Sequence, residues 1–115
     1  MDDTAKRIKP RYQLALAAEV WVRGLEHRNI EKTANISTTG LFLCTDLDLP
    51  KNDVVHLRII FKDLDAYFDV KAKVVWQCHG NDSHPKGIGL RYTDLSIEQT
   101  QLIDRYLKQY VNINS

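Results

Sequence analysis

Phe68-Asp69-Val70-Lys71-Ala72-Lys73-Val74-Val75-Trp76-Gln77-Cys78 carries the clearest pattern in the chain. Phe68, Val70, Ala72, Val74, Trp76 and Cys78 fall on one parity, while Asp69, Lys71, Lys73 and Gln77 fall on the other. Successive side chains of a strand point to opposite faces, so this period of two marks a strand with one face in a core and the other in water. By parity, Trp76 belongs to the core face with Phe68, Val70 and Val74.

The segments on either side extend the same logic. Downstream, the turn-rich Gly80-Asn81-Asp82-Ser83-His84-Pro85 leads to Gly87–Tyr92, where Ile88, Leu90 and Tyr92 share one parity and Gly87 and Gly89 leave the opposite face open. Upstream, Val54–Phe61 reads as a strand, preceded by the polar, proline-containing stretch Asp46–Asp53. Gly40–Thr45 and the shorter Glu31–Ile36 are two more. Leu14–Val22 is the first strand, with Leu16, Ala18, Val20 and Val22 opposite Glu19, and the polar run Arg23–Arg28 is a turn. After Leu95 the period changes. Ser96 and Gln99 form a capping box, and Leu102, Ile103, Tyr106, Leu107 and Tyr110 recur at helical spacing. Six short strands followed by one helix with a single apolar stripe predict an all-β fold, a six-stranded antiparallel β-barrel with a C-terminal α-helix packed on it. Residues 12–115 form this domain, and residues 1–11 are a flexible arm ahead of it.

The 115 residues, 43% hydrophobic and 27% charged, suit one soluble domain with a packed core. Sixteen basic against fifteen acidic side chains leave a net charge of +1, so any anion site is local, and the general binding of nucleic acid by a basic surface is disfavoured. Asp2, Asp3, Lys6 and Arg7 occupy the place of a secretory apolar core, and no stretch reaches the length of a spanning helix, which predicts a cytoplasmic protein without membrane insertion. Cys44 and Cys78, both in apolar strand-like surroundings, suit free thiols in a reducing compartment better than a disulfide. Cys78, His79 and His84 lack the spacing of a complete metal site, and no serine, histidine and acid arrangement names a nucleophile.

The one local basic bias is Lys6-Arg7-Ile8-Lys9-Pro10-Arg11, in which Arg7 and Arg11 stand four apart. By itself this is a solvated arm. Farther on, Asn35-Ile36-Ser37-Thr38-Thr39-Gly40 separates two strands, and by itself it is a turn. A guanidinium can fork onto phosphate oxygens or onto guanine O6 and N7, which lysine cannot do with the same planar geometry. Asn35 offers a donor and an acceptor, Ser37 a short hydroxyl, and Gly40 a backbone open to close approach.

Together, in this order and ahead of this pattern, the two stretches resemble the paired signature of PilZ domains. The resemblance extends through Gly87-Ile88-Gly89-Leu90-Arg91-Tyr92 and Leu95 to the final helix, about Lys6 to Leu107. It implies a receptor for cyclic di-GMP, bound singly or as a stacked pair, with polar Lys6 favouring the pair. Arg7, Arg11, Asn35, Ser37 and Gly40 are the implied contacts, with Lys6 and Trp76 as further ones, Trp76 stacking on guanine. The implied protein is not an enzyme and needs no cofactor or metal. It signals to an unidentified output protein by closing its arm over the barrel. Two departures stand out: Asn35 where the family more often has aspartate, and Thr39 where it commonly has glycine, a position at which a positive φ would strain a β-branched residue. Two other functions compete with the receptor: an interaction module of the same fold that binds no nucleotide, and a small barrel that binds single-stranded nucleic acid.

Overall fold

The computed structural model describes residues 10–22, 29–81 and 83–114. Among the described residues there are six strands: β1 (Ala17–Val22), β2 (Asn29–Ile36), β3 (Gly40–Cys44), β4 (Val54–Phe61), β5 (Ala66–Cys78) and β6 (Gly87–Thr93). A 3-10 turn, Lys62–Leu64, joins β4 to β5, and a helix, α1 (Ile97–Asn114), follows β6. The strands close into a barrel in the order β1-β2-β3-β6-β5-β4, every pair antiparallel. The expected barrel with its C-terminal helix is therefore present. The turn expected at Arg23–Arg28 lies outside the described residues, as does most of the arm.

Alternation builds the core. Ala18 and Val20 of β1, Val55, Leu57 and Ile59 of β4, Phe68, Val70, Ala72 and Val74 of β5, and Ile88 and Leu90 of β6 all point inward and are buried. The first strand starts later than expected, at Ala17, because the backbone at Leu14 and Leu16 is tied to a side chain. Thr33 Oγ1 accepts the Leu16 N–H at 2.9 Å and donates to the Leu14 carbonyl at 2.5 Å, which satisfies a hydroxyl buried in the barrel wall.

Two strands lose phase, each by one residue. The β2–β3 register shifts between Thr33 and Asn35, and the β5–β6 register shifts between Val74 and Trp76. An extra residue in one strand turns everything beyond it to the other face. Trp76 therefore leaves the core parity it has in the sequence and is 45% exposed on the outside of the barrel. The expectation that it shares the core with Val74 is corrected by this bulge.

The capping box at the start of α1 forms as expected: Gln99 N–H donates to Ser96 Oγ at 3.1 Å, and Ser96 N–H donates to Gln99 Oε1 at 3.0 Å. Ile103 and Leu107 are fully buried in the barrel core, a gain of about 1.5–3 kcal/mol for each side chain. Tyr106 and Tyr110 pack on Phe61, with ring centroids at 5.3 and 6.1 Å. Cys44 and Cys78 are free and half-buried. Both pair with Gly87 from opposite sides, so two strand spacings of about 9.5 Å separate them, beyond the reach of a disulfide. Burial, with a smaller contribution from Glu31, pushes the Cys44 thiol up from its ordinary value. No helix of the described residues is long and apolar enough to cross a membrane.

Candidate functional site

Arg11 reaches the second motif through the backbone. Its neighbour Tyr12 makes an isolated antiparallel bridge with Ile36, donating to the Ile36 carbonyl at 2.8 Å and accepting the Ile36 N–H at 2.9 Å. That clamp sets the Arg11 side chain over β2. Its Nε donates to Asn35 Oδ1 at 2.6 Å and its Nη1 to Ser37 Oγ at 3.3 Å. Arg11, Asn35 and Ser37, 24 and 26 residues apart in sequence, are thus in direct contact.

Ser37 is buried and organises the turn into β3. Its hydroxyl accepts the Thr39 N–H at 3.1 Å as well as the Arg11 donor, and the carbonyl of Gly40 and the hydroxyl of Thr39 lie at 3.3 and 3.0 Å for its own proton. A hydroxyl has one donor and two acceptor sites, so Ser37 is fully used in this arrangement. Thr39 is exposed and is not among the residues of positive φ, which outside glycine are Asn52, Asp65 and Asp94 among the described residues. The strain anticipated at Thr39 is absent because the turn needs no left-handed residue there. Gly40 answers a different demand. A Cβ on it would stand 2.1 Å from the Leu90 carbonyl oxygen, so the glycine lets β6 approach β3.

Register assembles the surface beside this contact. One outward row runs Asn35, Phe42, Gly89, Trp76 across β2, β3, β6 and β5, and the next runs Gly40, Arg91, Lys73. The two bulges bring Asn35 and Trp76 onto this face. Gly87 and Gly89 do not leave it open, as their small size suggested. The Trp76 indole lies on Gly89, where a Cβ would meet Nε1 at 2.0 Å, and Phe42 lies against Gly87, where a Cβ would meet the ring at 2.8 Å. Phe42 and Trp76 stack with centroids 5.0 Å apart, which buries Phe42 and leaves part of the indole in solvent.

Arg91 was missed in the sequence as a site residue. Its parity, opposite to Ile88, Leu90 and Tyr92, marks it as outward, but only the β3–β6 pairing sets it beside Gly40. Arg11, Thr39, Gly40, Val75, Leu90 and Arg91 line a cleft of about 190 Å³. A larger cleft of about 350 Å³, lined by Trp21, His56, Lys71 and Asp94 among others, lies elsewhere and contains no motif residue. The surface beside the motif therefore offers guanidinium and ammonium groups from Arg11, Arg91 and Lys73, an aromatic face from Trp76, and the amide of Asn35. It sets cationic groups, which suit an anion, beside an aromatic face, which suits a planar ring. Lys6 and Arg7 lie outside the described residues, and among the described residues no three His, Cys, Asp or Glu side chains converge as ion ligands.

The model of the PilZ domain matches residues 5–109, spanning both motifs, all six strands and most of α1. The chain belongs to the PilZ domain family. Solved PilZ structures share its fold at low identity. The Bacillus subtilis inhibitor of motility MotI/DgrA superposes with a TM-score of 0.71 at 17% identity, over 92% of this chain and 52% of that one. This PilZ domain therefore spans about half the length of that protein. The PilZ domain of CeSA from a cellulose-synthesizing bacterium gives 0.62 at 11% identity, covering 92% of this chain and 99% of the other. A pathogenic Xanthomonas campestris protein, described as a tetrameric PilZ domain self-assembled through a helical bundle, gives 0.72 at 12% identity, over 94% and 91%. A search of curated proteins finds no match.

Proposed function

We propose that this PilZ domain is a cytoplasmic bacterial receptor for cyclic di-GMP, which works by binding and by altering its surface for a partner protein, without catalysis. The observation that carries the reading is the Arg11 contact with Asn35 and Ser37, because it joins the two motifs at one point on the barrel. Two phosphodiesters and two guanines call for forked cations and a flat apolar surface side by side. Arg11, Arg91 and Lys73 supply the cations, and Trp76 supplies the surface. Arg7 and Lys6, on the segment ahead of Arg11, add donors from the arm as it closes, and a second stacked nucleotide is accommodated by the same exposed indole. The name of the Bacillus relative, an inhibitor of motility, supports an output through another protein.

Calorimetric titration with cyclic di-GMP tests the reading and gives the stoichiometry. Binding is expected for the wild type, and Arg11→Ala is expected to weaken it at least ten-fold, about 1.4 kcal/mol. A wild-type protein that ignores the nucleotide at high micromolar concentration, while co-purifying with a partner, would sink the receptor reading in favour of an interaction module.

A further inference from the structure

The β5–β6 connection folds back over the outer face and sets His84 on the aromatic platform. Its ring stands edge-on to Phe42, with centroids 6.1 Å apart at 72°, and to Trp76, at 6.5 Å and 80°. The turn that holds it is built by Asn81, whose Oδ1 accepts the backbone N–H groups of Ser83 and His84, each at 2.8 Å. The Asn81 N–H in turn donates to the His84 carbonyl at 2.8 Å. His84 is exposed, yet its backbone and two faces of its ring environment are fixed, and no described residue hydrogen-bonds its imidazole.

The outward positions of β6 order the surface into a strip. Arg91, beside Arg11 in the cleft, is at one end. Gly89, beneath Trp76, is in the middle. Gly87 is at the other end, against the Phe42 ring on which His84 also packs. Four strand residues span about 13 Å. The groups that face the imidazole are uncharged: Phe42 from β3 and Trp76 from β5. Within the connection, Asn81 and Ser83 are neutral, His79 is a second imidazole, Lys86 is 3.9 Å from Asp48, and Asp82, the acid two residues before His84, lies outside the described residues. Among these described neighbours none is an acid free to neutralise a protonated His84.

We propose that His84 is a further ligand contact, anchoring the nucleotide from the side of the platform opposite Arg11. With a guanine on the exposed face of Trp76, the protonated imidazole donates to a phosphodiester oxygen of the same ligand. The proposal rests on the receptor reading above. Imidazole changes charge between about pH 5 and pH 8, so this contact makes binding tighter at the acid end of that range. It lies in neither of the two motifs.

The test is titration of the full chain with cyclic di-GMP at about pH 6 and about pH 8, for the wild type, His84→Gln and His79→Gln. The wild type is expected to bind at least about three-fold tighter at the lower pH, His84→Gln to lose that difference, and His79→Gln to keep it. Circular dichroism and Tm of His84→Gln are expected to match the wild type, since the side chain is exposed. If His84→Gln keeps the pH dependence, or the wild type has none, the role of His84 is overturned and the receptor reading stands. If nothing binds at either pH, the receptor reading itself falls.

Discussion

Asn35 and Trp76 stand at opposite ends of a single cross-strand row, Asn35-Phe42-Gly89-Trp76, and each reaches it because its own strand slips by one residue just before it. The face that these bulges create draws its side chains from four strands. It exists only in the closed barrel, and its residues are not exchangeable by type: Phe42 needs Trp76 above it to stay dry, and Trp76 needs Gly89 beneath it to lie flat.

That dependence separates two glycines. In Gly89→Ala the new methyl meets the Trp76 indole, a side chain that can swing away, so the fold is expected to persist while cyclic di-GMP binding falls about ten-fold or more through loss of the stacking surface. In Gly40→Ala the methyl meets the Leu90 carbonyl, which is barrel backbone, and a loss of about 1–3 kcal/mol in unfolding free energy is expected. Denaturant unfolding beside calorimetry tells them apart. Equal stability of Gly40→Ala and wild type would contradict the close strand approach assigned to Gly40.

Asn35→Asp restores the acid that the family more often has. The Arg11 Nε contact, already charge-assisted through the guanidinium, becomes an ion pair, and the second carboxylate oxygen is available to accept from a guanine edge. Several-fold tighter binding of cyclic di-GMP is expected in calorimetry. Weaker binding would mean that the acid repels the phosphodiesters more than it serves the base.

How much of this was legible in the sequence depended on local periodicity. Phe68 to Val74 gave a correct strand and a correct core face because no register shift interrupts them, and Ser96 with Gln99 marked the start of α1 through a contact only three residues long. Trp76 was misplaced because a bulge depends on the partner strand, and nothing in Val74-Val75-Trp76 announces which residue is the extra one. Arg91 was legible as an outward residue but not as a neighbour of Gly40, since strand order in a barrel is not written in any one strand. Asn35 and Ser37 could be named from the motif, whereas the use of Ser37 as the hub of its own turn needed the coordinates.

Arg58 provides a control away from the site. Its guanidinium makes a two-pronged pair with Asp69, at 2.8 and 3.0 Å, and covers the Tyr67 ring at 4.1 Å. The Asp69 hydrogen bond raises its pKa above the ordinary value, but the group is solvent-exposed, and exposed pairs are screened. Arg58→Ala is expected to lower Tm by less than about 4 °C and to leave nucleotide affinity unchanged. A change in affinity would place part of the ligand surface on β4.

Tyr92 sets the alkaline limit of the fold. Its hydroxyl is buried with no hydrogen-bond partner among the described residues, and burial raises its pKa far above the ordinary value, with the Arg11 charge pulling weakly the other way. The folded state thus holds the phenolic proton more tightly than the unfolded chain does. The associated stability is fully present below about pH 10, the unfolded value, and is lost progressively as pH rises above it. Tyr92→Phe removes both the ionisation and the unpaired hydroxyl. It is expected to raise the unfolding free energy at neutral pH by about 1 kcal/mol and to move the alkaline unfolding midpoint upward. Denaturant melts at neutral pH and near pH 11 measure both effects. A Tyr92→Phe protein less stable than wild type at neutral pH would mean that the hydroxyl has a partner in solution, and Arg11, the charge that acts on it, is the first residue to examine.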